Sequence, residues 1–106
     1  MIRKADPEFK VSLAGNFHKE LEADIYDYCI PIGASYPAEV LARRAQNNLP
    51  TTYYMCCTEA FPNTFTFSDP AEAAWMSYYS AKDHLDGYLR WAYNSWPKEP
   101  LLDSRL

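Results

Sequence analysis

Glycine is scarce in this chain, three in 106 residues, and that scarcity excludes one common class at once. A dinucleotide-binding sheet needs the G-x-G-x-x-G turn so that its backbone can approach a pyrophosphate, and "LAGNFH" supplies a single glycine. Basic charge is also short: 10 Lys and Arg stand against 14 Asp and Glu, a net charge of −4. There is no stripe of cations to displace counterions from phosphates, so nucleic acid is not an expected partner. No apolar run reaches the roughly 18 residues of a membrane span, and "MIRKADPEFK" has no apolar stretch of the kind a signal peptide carries. Cys29 stands alone and Cys56 adjoins Cys57, a spacing that fits neither C-x-x-C nor a metal knuckle. These read as small buried residues, and no metal or other cofactor is expected. No Ser or Cys sits in a nucleophile elbow.

Aromatic residues are present in excess. They make up 16% of the chain, nine of them tyrosine, which supplies flat faces with polar edges and excludes a disordered chain. The length is that of one domain, able to bury about two-thirds of the surface its unfolded chain exposes.

Four segments read as strands. "FKVSLAG" (9–15) alternates Phe9, Val11 and Leu13 with Lys10, Ser12 and Ala14; "DIYDYCIP" (24–31) gives Asp27 to a polar side; "TTYYMCC" (51–57) and "GYLRWAY" (87–93) follow. Pro37 opens a helix over about 37–47 with Ala38, Leu41, Ala42 and Ala45 along one side. Asp69, Pro70 and Glu72 form a capping box at the start of a second helix, and Gly87 follows its end. Its expected stripe is Ala71, Ala74, Trp75, Tyr78, Ala81 and Leu85. The first connection, "GNFHKELEA", holds at most a turn or two near 17–22. Alternating strands and helices predict parallel pairing, in an open sheet or in part of a (β/α)8 barrel. The missing glycine motif favours the barrel.

The residues "FKVSLAGNFHKEL", "YYMCCTEAFPNTFTFSDPAEAAW" and above all "DGYLRWAYNSWPKEPLLDSR" resemble the carboxyl-terminal half of the catalytic barrel of glycoside hydrolase family 123 and its uncharacterised relatives. The resemblance implies a partial (β/α)8 TIM barrel of about four parallel strands. It further implies a parent enzyme, secreted or periplasmic, that removes β-linked N-acetylhexosamine, notably N-acetylgalactosamine, with the substrate's acetamide as nucleophile. Such enzymes carry an adjacent Asp-Glu pair, and no adjacent Asp-Glu occurs in this sequence. The expectation is therefore a fragment without catalytic residues of its own, whose partner is a glycan or amino sugar; the alternative is a non-catalytic carbohydrate-binding or purely structural α/β module. With two open sheet edges, the fragment is also expected to self-associate as a homo-oligomer.

Active sites of barrels lie at the carboxyl ends of the strands. On that basis the candidate substrate-binding residues are Asn16, His18, Asn63, Arg90, Asn94 and Trp96. For His18 a sugar contact competes with an exposed surface position. For Asn63, in "TEAFPNTF", it competes with the ordinary role of Asn in satisfying a turn. Strand parity groups Tyr88, Arg90, Ala92 and Asn94, then Trp96, against Leu89, Trp91 and Tyr93. Because an arginine under packed helices needs an ionic partner, the Arg90 face is expected to point into the lumen with Lys10, Ser12, Asp27 and Asn94. Trp96 is then either a stacking surface for a pyranose or a hydrophobic plug over the barrel end. Asp27 and Glu59 read as structural or solvated acids, and His84 as a residue at a helix end.

Overall fold

The computed structural model describes residues 2–56, 59, 61–90, 97–99 and 101–102. A short helix α1 (Ile2–Ala5) precedes strand β1 (Ser12–Ala14). A single 3-10 turn at Glu22–Asp24 occupies the first connection, as its length demanded, and leads to β2 (Asp27–Pro31). Helix α2 (Ala38–Gln46), β3 (Thr51–Met55), α3 (Pro70–Lys82) and β4 (Gly87–Arg90) follow in alternation. All three strand pairings are parallel and the order is β1-β2-β3-β4, without reversal. A doubly wound sheet would contain a switch in strand order. Sequential parallel order is that of a (β/α) barrel, and among the described residues the sheet is open.

Register divides the side chains into two faces. Leu13, Tyr28, Ile30, Thr51, Tyr53, Met55, Tyr88 and Arg90 share one, because paired residues point the same way. Both α2 and α3 pack on this face. Tyr53 donates its hydroxyl to the Met76 carbonyl at 2.8 Å and its ring lies 4.8 Å from that of Tyr79, while Arg44 of α2 reaches Thr51. Ile25, Tyr28, Ile30, Tyr53, Met55 and Met76 form the buried cluster. Ser12, Ala14, Asp27, Cys29, Pro31, Thr52, Tyr54, Gly87 and Leu89 share the opposite face, and no described helix covers it. The shortest extent of the molecule, 19 Å, is that of one sheet and one helix layer at about 10 Å each.

Two helical stripes differ from the sequence expectation. In α3 the core takes Met76, with Tyr79 and Leu85 packed beside it, while Trp75 and Tyr78 are exposed, Tyr78 by 75%. Counting apolar residues favoured the alanines and Trp75, but Tyr79 and Ser80 face inward because their hydroxyls find partners at Gly33 and the Met76 carbonyl. In α2 the buried positions are Val40 and Arg44, and Ala38, Ala42 and Ala45 are exposed. Arg44 is 1% exposed and uses its whole donor fork. Nε donates to Thr51 Oγ1, Nη1 to the carboxylate and carbonyl of Glu22 and to the Ile25 carbonyl, and Nη2 to the carbonyls of Tyr26 and Pro50. It ties the amino ends of β2 and β3 to the 3-10 turn.

Beside this cluster the Tyr36 hydroxyl is enclosed with no hydrogen-bond partner among the described residues. Burial, the largest cause, raises its pKa to about 12. Tyr36→Phe removes an unsatisfied buried group and is expected to stabilise the chain by about 1 kcal/mol. A tyrosine whose folded pKa is raised contributes stability below its ordinary value of about 10, which is lost as pH rises through about 12. Tyr36→Phe should therefore weaken the alkaline loss of stability between those values. Urea unfolding at neutral and alkaline pH measures both effects.

Candidate functional site at the carboxyl ends of the strands

Parallel order brings the loops after β1, β2 and β3 to one end of the sheet, and each is fastened there by a polar side chain of the helix-side layer. After β1, the Tyr28 hydroxyl donates to the Asn16 carbonyl and accepts from the His18 N–H, both at 2.9 Å. After β2, the Gly33 N–H donates to the Tyr79 hydroxyl at 3.1 Å, and the φ of +73° at Gly33 is one that glycine adopts without strain. After β3, Glu72 of α3 serves twice. Its Oε1 accepts the Asp69 N–H in the capping box, and its Oε2 accepts the Asn63 N–H at 2.7 Å. The helix cap legible in the sequence thus also holds a mouth loop.

Asn63 is fully buried. Its amide nitrogen donates to the carbonyls of Cys56 at 2.8 Å and Glu59 at 2.6 Å, and its Oδ1 accepts the Thr64 N–H at 2.8 Å. The turn role weighed for it is the one it performs, and these bonds take both amide hydrogens from any substrate. Glu59, half-buried at the same end, accepts the Cys56 N–H on Oε2 at 2.7 Å.

Asn16 and His18 come together on the β1 loop, both exposed, with His18 Nδ1 3.7 Å from Glu20 Oε1. Arg90 does not join them, and its expected lumen orientation is corrected. It shares the helix-side face with Met55, and its guanidinium lies over the Phe65 ring at 5.6 Å. An ionic partner was thought necessary on that side, yet an aromatic face beside a partly exposed guanidinium suffices. The Tyr88 ring sits 5.3 Å from Tyr53 with its hydroxyl 3.2 Å from Thr64, and it is Leu89, 47% exposed, that faces the other way. Asn94 and Trp96, with Trp91, Ala92, Tyr93 and Cys57, lie outside the described residues.

The helix-free face carries a polar ladder across three strands. Ser12 donates to Asp27 Oδ2 at 3.1 Å and Thr52 to Asp27 Oδ1 at 2.9 Å. Of the lumen network expected from sequence, Ser12 and Asp27 are joined, while Lys10 lies over the Tyr26 ring at 4.3 Å. Cys29 is buried on this face, and burial, more than nearby Asp27, pushes its thiol pKa up. Raised in this way it is a poor nucleophile. Asp27 begins β2, at the end opposite the mouth, and both its oxygens already accept hydroxyls. It is unsuited to protonating a leaving group. Among the described residues no group of three His, Cys, Asp or Glu could hold a metal ion, and no helix is long and apolar enough to cross a membrane.

Sequence reasoning missed the three loop fasteners. Glu72 was visible only as a cap, while Tyr28 and Tyr79 read as ordinary aromatic positions, since nothing in a residue's type reveals where its hydroxyl ends.

A polar face free of helices, backed by a single helix layer and ending in fastened loops, is the construction of a barrel wall. The model of the family described as glycoside hydrolase 123, catalytic domain, matches residues 1–106. No curated protein matches the chain. With that match running the length of a sheet whose order and faces suit a barrel, the chain belongs to the glycoside hydrolase 123 catalytic-domain family.

Proposed function

We propose that the chain forms one wall of a glycoside hydrolase site acting on β-linked N-acetylhexosamine, with N-acetylgalactosamine the favoured sugar, and that it lacks catalysis on its own. The observation that carries this reading is the pairing of the family match with a sequence containing no adjacent Asp-Glu pair. Hydrolysis needs one group to protonate the leaving oxygen and another to manage the oxocarbenium charge. Asp27 is hydrogen-bonded at the wrong end of the strands and Glu59 accepts a backbone N–H. The wall's task is substrate contact: Asn16 and His18 present hydrogen-bonding groups from the fastened β1 loop, and Asn94 and Trp96 follow β4 in sequence. The purified chain should release no aryl alcohol from aryl β-N-acetylhexosaminides above the uncatalysed rate. Turnover that disappears on mutating residues of this chain would contradict the proposal.

Among the described residues no strand pairs with the outer edges of β1 and β4, and no described helix covers the face bearing Leu89 and Tyr54. We expect two copies to associate through these surfaces. Sedimentation at micromolar concentration should give a dimer or larger species, and a compact monomer would count against the open-wall reading.

A further inference from the structure

We propose that the cleft between Phe61 and Trp75 binds the trimethylammonium group of a small organic cation. The cleft, of about 240 Å³, is lined by Phe61, Asp69, Ala71, Glu72 and Trp75. Trp75 belongs to α3, so the cleft lies on the helix side, apart from the face on which two copies are expected to associate. Its ring centroid is 6.4 Å from that of Phe61, with 48° between the planes. A group seated in the opening of that V can lie within about 6 Å of both rings, the range over which an aromatic face attracts a cation. Tyr79 backs Trp75 at 5.3 Å, its hydroxyl held by the Gly33 N–H, and Pro62 and Asn63 are buried directly after Phe61. Both walls are thus anchored, yet Phe61 is 69% exposed and Trp75 39%. Large rings left together in solvent mark a surface that something covers.

The charge of the cleft decides what covers it. Asp69 and Glu72 bring two carboxylates, and no Lys, Arg or His lines the cleft among the described residues. The amino end of α3 offsets only about half a unit of that negative charge. It also offers an anion little to bind, because Pro70 has no N–H and the N–H groups of Ala71 and Glu72 already donate to Asp69. A cation is therefore favoured, and the hydrogen bonds select its kind. Both oxygens of Glu72 and Oδ1 of Asp69 are taken by backbone N–H groups, so a primary ammonium, which must donate its hydrogens, is poorly matched. A trimethylammonium group has none to donate and needs only charge and ring faces. A phosphate close to that group would meet the carboxylates, which favours a free cation over a zwitterionic lipid headgroup.

The test is titration of the isotope-labelled full chain with choline, followed at the Trp75 indole N–H, which Trp75→Phe identifies among the three tryptophans. Choline should give a saturable shift. Its neutral carbon analogue, with a tert-butyl group in place of trimethylammonium, should bind about tenfold more weakly or worse. Ethanolamine and phosphocholine should also bind more weakly than choline. Asp69→Asn keeps a capping oxygen while removing the charge, and Phe61→Ala truncates an exposed ring. Both should lower choline affinity with an unchanged melting temperature. Equal binding of the neutral analogue would reduce the cleft to an apolar groove and overturn the proposal. Wild-type affinity in either variant, or no saturable shift with choline, would overturn it as well. Ethanolamine or phosphocholine binding as tightly as choline would contradict the assignment to a free trimethylammonium cation.

Discussion

Arg44→Met is expected to lower the unfolding free energy by about 3–5 kcal/mol, a large share of the roughly 5–15 kcal/mol that a domain of this kind possesses. The substitution preserves much of the side-chain volume, so cavity formation is a minor cost. The loss comes from the groups left behind: the carbonyls of Ile25, Tyr26 and Pro50, the Thr51 hydroxyl, and the Glu22 carboxylate, itself 6% exposed. Each buried polar group stripped of its partner costs about 1–3 kcal/mol. Arg43 provides an internal control, because it also pairs with Glu22 but its side chain is 54% exposed. Arg43→Ala should cost less than about 1 kcal/mol. Urea denaturation followed by circular dichroism separates the two, and equal losses would show that the buried fork contributes little.

The Arg44 cluster also marks where sequence reasoning reached its limit. Strands, helices and their alternation were legible because each has a local cause: period-two patterning in 9–15, Pro37 at a helix start, and a capping box at Asp69, Pro70 and Glu72. The polar side of β2 was legible too, since Asp27 would be awkward beneath a helix, and it lies on the helix-free face. What failed was the assumption that an arginine beneath packed helices must have an ionic partner. Arg44, within "LARRAQ", was not singled out from the sequence, and the Glu22 carboxylate together with five backbone and hydroxyl oxygens supplies its buried environment. Arg90 was sent to the lumen on the same assumption, and the Phe65 ring accommodates it on the other side. The rotation of both helix stripes has a related origin, for hydroxyl-bearing residues such as Tyr79 and Ser80 can face inward once a carbonyl or N–H is waiting.

At the candidate site the same distinction holds. Asn16 and His18 were placed at a strand end by alternation alone, and they lie there. The turn role of Asn63 was foreseeable from residue type, but the three bonds that remove it from substrate contact depend on two carbonyls, four and seven residues away, and on the Thr64 N–H. The family was readable from "PNTF" and "GYLRWAYNSW", a resemblance carried by whole segments rather than by any physical property of one residue. The absence of an adjacent Asp-Glu pair was readable by inspection, and the proposed separation of family membership from catalysis rests on it.

That separation produces the largest expected effect. If the chain is one wall of a site whose acids lie on other strands, joining it to a family-type half barrel that carries the Asp-Glu pair should restore the acid pair that works with the substrate's own acetamide nucleophile. General acid–base assistance alone is worth about 10²–10⁴-fold in rate. Covering the open edges of β1 and β4 should also abolish self-association. The decisive measurement is hydrolysis of an aryl β-N-acetylgalactosaminide by this chain alone, by the complementary half alone, and by the two joined or mixed. Activity confined to the combination, and lost when either acid of the pair is replaced, is the predicted result. Equal activity in the isolated chain, or none in a folded combination, would contradict the assignment of this chain as a glycosidase wall.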